Sequence, residues 1–124
     1  MGSLPDHANK ARYVRALVLR EKGDLAGSVA ALRELLAKAP EYEPSYGALA
    51  EILSRSGRMD ESRDLYLKAL SLIEKALPPA LATLEGGVPM TYSTYSEMRD
   101  LVERLTREKE IVLHGLGDLA SPAP

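Results

Sequence analysis

The sequence predicts an all-α protein: stacked helical hairpins forming an α–α superhelix, closed by a C-terminal capping helix. Three observations predict it. The pairs Gly23-Asp24 and Gly57-Arg58 lie 34 residues apart. Similar text surrounds both, ARYVRALVLREKGDLAGSVAALRELLAKAP from Ala11 to Pro40 and SYGALAEILSRSGRMDESRDLYLKALSL from Ser45 to Leu72. Each copy reads as an apolar helical stretch, a glycine turn and a second helical stretch. A helix–turn–helix unit of this length cannot bury its apolar face alone, so it stacks on neighbours and presents a grooved surface. That points to binding before catalysis.

The elements follow in order. Residues 1–8, broken by Pro5, are predicted as a flexible lead-in. The first helix is expected from about Asn9 to Lys22, with Ala11, Val14, Leu17 and Val18 at helical spacing. Gly23 ends it and Asp24 is placed to cap the second helix. Leu25, Val29, Leu32 and Leu36 form the next apolar stripe, and Pro40 stops it. Pro44 suits the first turn of the third helix, where its missing amide hydrogen has no partner to lose. Tyr46, Leu49, Ala50 and Leu53 line one face of that helix, and Gly57 ends it. The fourth helix carries Ser62, Leu65, Tyr66, Ala69, Leu70 and Ile73 and is expected to stop near Leu77. Residues 9–77 thus hold two hairpins.

Past Pro78-Pro79 the pattern breaks. Residues 78–113 are read as a truncated first helix of a third hairpin (Pro78 to Glu85), a loop, and a capping helix. Thr94 and Glu97 have the spacing of a capping box and would open that helix near Tyr95. Met98, Leu101, Val102, Leu105 and Val112 then mark one face through Leu113. Residues 114–124 are predicted as a flexible tail. Two hairpins fall below the roughly three repeats a stable stack needs, so the C-terminal part must supply the missing neighbour.

Composition narrows the function. The 124 residues carry 16 basic and 18 acidic side chains for a net charge of −2, too balanced for a phosphate-binding surface, so nucleic acid is not expected as partner. No polybasic patch or long apolar run points to a membrane. There is no cysteine, hence no disulfide framework or thiolate metal site, which fits a cytoplasmic protein. Six tyrosines stand beside no Phe or Trp, so the core must be mostly Leu, Val, Ile and Ala. No enzyme is expected. His7 and His114 lack metal-ligand spacing, no serine sits in a nucleophile elbow, and no glycine-rich phosphate loop occurs. Asp60-Glu61, at the opening of the fourth helix, is explained by capping and the helix dipole. No cofactor or metal is implied.

Aligned on the turn glycine, residues 9–76 resemble the tetratricopeptide repeat family. The second copy places Tyr46, Leu49, Leu53, Gly57, Tyr66 and Ala69 at the family's marked positions. The first keeps Leu19, Gly23, Asp24, Leu32 and Pro40, with Arg12 in place of the aromatic, Ser28 where a small Ala is preferred and Leu35 in place of a small residue. The resemblance implies that the first helix of each hairpin lines a concave groove. By position the first copy offers Lys10, Tyr13, Leu17, Arg20 and Glu21, and the second Pro44, Gly47, Glu51, Ser54 and Arg55. Arg20 and Arg55 are suited to a carboxylate or peptide carbonyl, and equally to their own helix C-termini. Gly47, a costly residue inside a helix, is explained by close approach of a bound peptide or of a neighbouring helix. Positions where chaperone-binding members hold a terminal carboxylate read Tyr13, Leu17 and Ala48, so chaperone tails are not expected.

A second candidate patch is Val88, Met90, Tyr92 and Tyr95, with Pro89, in the loop 86–96. These residues either form a contact surface or fold back over the last hairpin. The expected function is therefore a protein–protein interaction module, an adaptor, chaperone or assembly factor holding a partner peptide or helix. The alternative is a homo-oligomeric scaffold assembling through the C-terminal helix or the 86–96 loop.

Overall fold

The computed structural model describes residues 3–87 and 89–120. Within them lie five helices: α1 (Ser3–Glu21), α2 (Leu25–Lys38), α3 (Glu43–Arg55), α4 (Met59–Glu85) and α5 (Tyr92–Ala120). Each packs on the next in chain order, and α5 also lies against α3. The architecture is all-α, helices stacked as pairs.

The repeat is visible atom by atom. Gly23 and Gly57 end α1 and α3 with φ of 86° and 85°, the left-handed conformation that an added Cβ would strain. In the first turn the Gly23 amide donates to the Arg20 carbonyl at 3.0 Å and the Asp24 amide to Leu19 at 2.9 Å. In the second the Gly57 amide donates to Ser54 at 3.2 Å and the Arg58 amide to Leu53 at 2.9 Å. A buried lock recurs too. Ser28 Oγ donates to the Ala16 carbonyl at 2.7 Å, and Ser62 Oγ to the Ala50 carbonyl at 2.7 Å. Both serines and both alanines are fully buried. The small residues let the two helices of each hairpin touch, and the hydroxyl finds a partner in the facing helix.

Asp24 caps α2 as expected, its Oδ1 accepting from the Gly27 amide at 2.8 Å. The equivalent position before α4 is Arg58, which makes no side-chain cap. Asp60 and Glu61 sit in the first turn of α4, so they act there through the helix dipole and not as caps. Pro44 stands in the first turn of α3.

The core lies in two joined clusters. Ala16, Leu32, Ala48, Leu49, Ile52 and Leu53 join α1, α2 and α3. Tyr46, Ala50, Tyr66, Ala69, Ile73 and Leu77 of α3 and α4 receive Val102, Leu105 and Val112 of α5. Tyr66 is only 5% exposed, so its ring is packing, not surface. Gly115 makes this docking close: a Cβ there would overlap the Tyr66 ring.

Four expectations are corrected. On α1, Ala11, Val14 and Val18 are exposed. Ala16 is the buried contact, with Tyr13 and Leu17 packed partly against it, because no helix among the described residues covers the side of α1 away from α3. Leu25 of the α2 stripe is likewise exposed, while Leu35 is fully buried. Pro78 to Glu85 is not a separate helix but the last turns of α4. Both prolines are exposed while Leu77 and Ala80 are buried, so packing of one face holds the helix through two residues that disfavour it. The Thr83 hydroxyl takes up the Pro79 carbonyl at 2.9 Å. Finally, α5 begins at Tyr92. Its cap is Thr91, whose Oγ1 accepts from the Thr94 amide at 3.1 Å, one turn before the expected box at Thr94.

The ends also differ from the sequence reading. Helix already covers Ser3 to Ala8 and His114 to Ala120. The remainder of the expected flexible ends, 1–2 and 121–124, lies outside the described residues, as does Val88.

Candidate functional site

The first helices α1 and α3 present their groove-facing residues to the same side, but α5 divides that side into two unequal parts. Over α3 it lies close. Val112 Cγ2 stands 3.9 Å from where a Gly47 Cβ would be, an ordinary contact distance, so α5 covers Gly47 without an approach that requires glycine there. Over α1 a cleft of 480 Å³ remains, lined by Lys10, Tyr13, Val14, Tyr42, Pro44, Arg104 and Glu108.

Gly47 apart, the other six groove residues separate into three settings. Lys10 and Tyr13 line the cleft. Tyr13 is half-buried, its ring edge-to-face with Tyr42 at a centroid distance of 5.8 Å. Burial and then the Glu108 charge push its hydroxyl pKa up to about 12, so it is a neutral donor throughout the physiological range. Leu17 is partly buried against the α1–α2–α3 core. Arg20, Glu51 and Arg55 form a charged group farther along. Glu51 Oε1 lies 3.7 Å from Arg20 on α1 and 3.2 Å from Arg55 on its own helix. Arg20 and Arg55 also occupy the last turns of α1 and α3, where positive charge is favoured.

Four residues of the cleft region were not found from the sequence: Tyr42, Glu43, Arg104 and Glu108. Glu43 is the least expected. Its side chain is 7% exposed, and its Oε1 accepts from Arg104 Nη1 at 3.1 Å across the α3–α5 contact. Burial, then the nearby Glu108 carboxylate, raises its pKa to about 7 against the opposing pull of Arg104. A glutamate beside a helix-opening proline reads as a dipole residue, and Arg104 with Glu108 reads as an ordinary pair one turn apart on a solvated face. Only the return of α5 across α3 puts the three together.

The second patch is exposed at its tyrosines. Tyr92 is 79% and Tyr95 42% exposed. Both stand in the first turn of α5 rather than in a loop, and Met90 is half-buried beside them. They do not fold back over the core. Among the described residues no group of three or more His, Cys, Asp or Glu is placed to hold a metal. His114 is exposed, 3.6 Å from Asp118, and lies more than a turn before the end of α5 rather than at it. No helix among the described residues is long and apolar enough to cross a membrane.

Comparison with known proteins agrees with this geometry. A family model described as tetratricopeptide repeat matches residues 19–86. The crystal structure of a tetratricopeptide repeat domain protein from Salinibacter ruber is similar over 80% of this chain and 96% of that chain, with a TM-score of 0.50 and 22% sequence identity. At that identity the likeness shows the fold alone. No curated protein matches the chain.

Proposed function

The chain belongs to the tetratricopeptide repeat family, whose domains are in general non-catalytic protein–protein interaction modules, and from that premise we propose that it is an adaptor or assembly factor that holds a partner peptide or helix on the α1 side of its groove. The observation that carries this reading is the unequal covering of the concave side. Gly47 lies beneath Val112, whereas Lys10 and Tyr13 line an open cleft. A partner would lay an apolar side chain over Tyr13 and Val14. Arg20, Glu51 and Arg55 would offer charged contacts at the far end of the same face. Such a short apolar floor between charged ends suits an amphipathic helix or an extended peptide.

The test is capture from native extract, with bound proteins identified by mass spectrometry. Wild type is run beside Lys10→Glu with Arg55→Glu. Both residues are exposed, so the variant keeps the core that Leu17→Glu would disturb. The expected result is a partner captured by wild type and lost in the variant, with unchanged thermal unfolding. A partner captured equally by both places the site elsewhere. The exposure of Tyr92 and Tyr95 supports a second reading, a homo-oligomeric scaffold joined through that patch. Mass in solution that rises with concentration, and falls in Tyr92→Ser with Tyr95→Ser, would favour it.

A further inference from the structure

On α3 the residues Ser45, Tyr46, Leu49, Ile52 and Leu53 are all buried. Leu49, Ile52 and Leu53 close over the preceding hairpin, in one cluster with Ala16 of α1 and Leu32 of α2. Their counterparts 34 residues earlier, on α1, are Ala11, Arg12, Arg15, Val18 and Leu19. No helix among the described residues covers this side. Leu19 is half-buried and the other four are exposed. Val18 is 45% exposed where Ile52 is 2%.

A stack end built only to meet water is polar on its outer face. This one is polar in part. Val18 and Leu19 keep the apolar character of Ile52 and Leu53. Beside them a groove of 320 Å³ opens between the two helices of the first hairpin, its walls including Arg12, Arg15 and Leu19 of α1 and Ala31, Glu34 and Leu35 of α2. The free charge here has one sign. Arg12 and Arg15 stand one turn apart, with no acidic residue three or four positions from either. Neither makes an ion pair among the described residues. Glu34 is the one acid lining the groove, and its carboxylate is engaged by Lys38 at 3.0 Å. Two like charges a turn apart repel until an anion joins them.

The chain's own surfaces do not supply that anion. In the stack, α2 covers α3 with Leu32 and Leu36. In a head-to-tail pair of copies the same task would fall to their counterparts on α4, Tyr66 and Leu70. Those two already pack in the cluster that α5 completes. Pairing two α1 faces would set Arg12 and Arg15 against their own copies, which like charge opposes.

We propose that this end of the stack, the outer face of α1 with the adjoining groove of α2, is a docking surface for an acidic amphipathic helix of another protein, seated as α2 is seated on α3. The model for its apolar ridge is Val29, Leu32 and Leu36, which α2 brings to the shared cluster at a spacing of i, i+3 and i+7. The occupant lays such a ridge on Val18 and Leu19. Carboxylates beside the ridge meet the Arg12 and Arg15 guanidinium groups, whose forked donors suit them. None of the five face residues lines the concave cleft, so this surface is independent of the groove reading.

The full chain is titrated at low salt, with backbone NMR detection, against a stapled helical peptide carrying leucines at i, i+3 and i+7 with glutamates beside them. A version with lysine for each glutamate and a scrambled isomer serve as controls. Expected are shifts at Arg12, Arg15, Val18 and Ala31 with the glutamate peptide, and about tenfold weaker binding of the lysine peptide. Arg12→Glu with Arg15→Glu should reverse that preference. Val18→Ser should weaken the glutamate peptide about threefold, and Arg55→Glu on the concave side should leave it unchanged. All the substituted residues are exposed, so thermal unfolding should stay near wild type in each variant. Equal binding of the lysine peptide or the scrambled isomer, an unreversed preference in the double variant, shifts confined to the concave cleft, or no shift at millimolar peptide would each overturn the proposal. So would a concentration-dependent mass abolished by the double variant, which would give the face to a second copy. Binding to phosphatidylserine vesicles that is lost in the double variant would likewise overturn it and give the face to a membrane.

Discussion

The two hairpins share one internal construction and differ in their company. Both close with the same glycine turn, and both lock their helices with a buried serine on a facing carbonyl, Ser28 on Ala16 and Ser62 on Ala50. Yet positions 34 residues apart have opposite fates. Arg12 and Arg15 of α1 are exposed, whereas their counterparts Tyr46 and Leu49 on α3 are buried, Leu49 to 1% exposure. The difference is neighbours. α3 is covered by α2 on one side and by α4 and α5 on the other, while α1 packs on α2 and its outer side meets water. A repeat thus holds two kinds of position: those that make the hairpin, alike in both copies, and those that make the stack, which become polar where the stack ends. The same inequality leaves the cleft open beside α1 and closes it over α3.

The largest test of this contrast is at α5. Leu105→Ala removes a side chain that is 2% exposed between α5 and the second hairpin, and should cost about 2–4 kcal/mol in urea unfolding. Val18→Ala on the open side of α1, 45% exposed, should stay within about 0.5 kcal/mol. Comparable losses at both sites would mean that α1 has a neighbour in solution.

Next in size is pH. The folded Glu43 carboxyl holds its proton up to about 7, against an ordinary value of 4.5, so between these the folded state binds more protons than the unfolded one. The stabilisation is complete below about 4.5 and is lost as pH rises through about 7. The melting temperature should therefore fall between pH 5 and pH 8, and the fall should shrink without vanishing in Glu108→Gln, because burial is the larger cause of the shift. A flat profile in wild type would show that the Glu43–Arg104–Glu108 contact is solvated and does not bind α5 to α3.

A smaller effect sharpens the shared half of the comparison. Ser28→Ala and Ser62→Ala should each cost about 1 kcal/mol, because each lock lies within its own hairpin. A much larger loss at Ser62 would make the lock a property of the stack instead. The turn is of similar size: Gly57→Ala should cost about 1–2 kcal/mol through the left-handed backbone alone, since a Cβ there meets nothing within 4 Å.

The sequence made the hairpins legible because their signals are local. Gly23, Asp24, Gly57, Pro40 and Pro44 each act within a turn of chain, and the 34-residue spacing checks one copy against the other. What was not legible depended on distant chain. Nothing near Pro78 tells that Leu77 and Ala80 will be buried on one face and hold the helix straight through two prolines. The exposure of Val14 and Val18 follows from the absence of a helix, which no periodicity records. In the candidate site the α1 residues Lys10 and Tyr13 could be placed by repeat position. Glu43, Arg104 and Glu108 could not, since they meet only through a fold-back joining residues 61 apart in sequence. Gly47 stood between these cases: it reads as a sign of close approach, yet α5 meets it through Val112 at an ordinary contact distance that leaves room for a Cβ.

The most direct test of the account is to lock α5 where the structure places it and ask whether binding survives. The chain has no cysteine, so Gly47→Cys with Val112→Cys introduces a single pair at a point where α5 is in contact with α3. The account predicts fast intramolecular disulfide formation on mild oxidation, and a locked protein that captures the same partner as wild type through the open α1 side. Failure of the bond to form within one chain, or loss of the partner once it has formed, would contradict it: the covered half of the groove would then be the half that works.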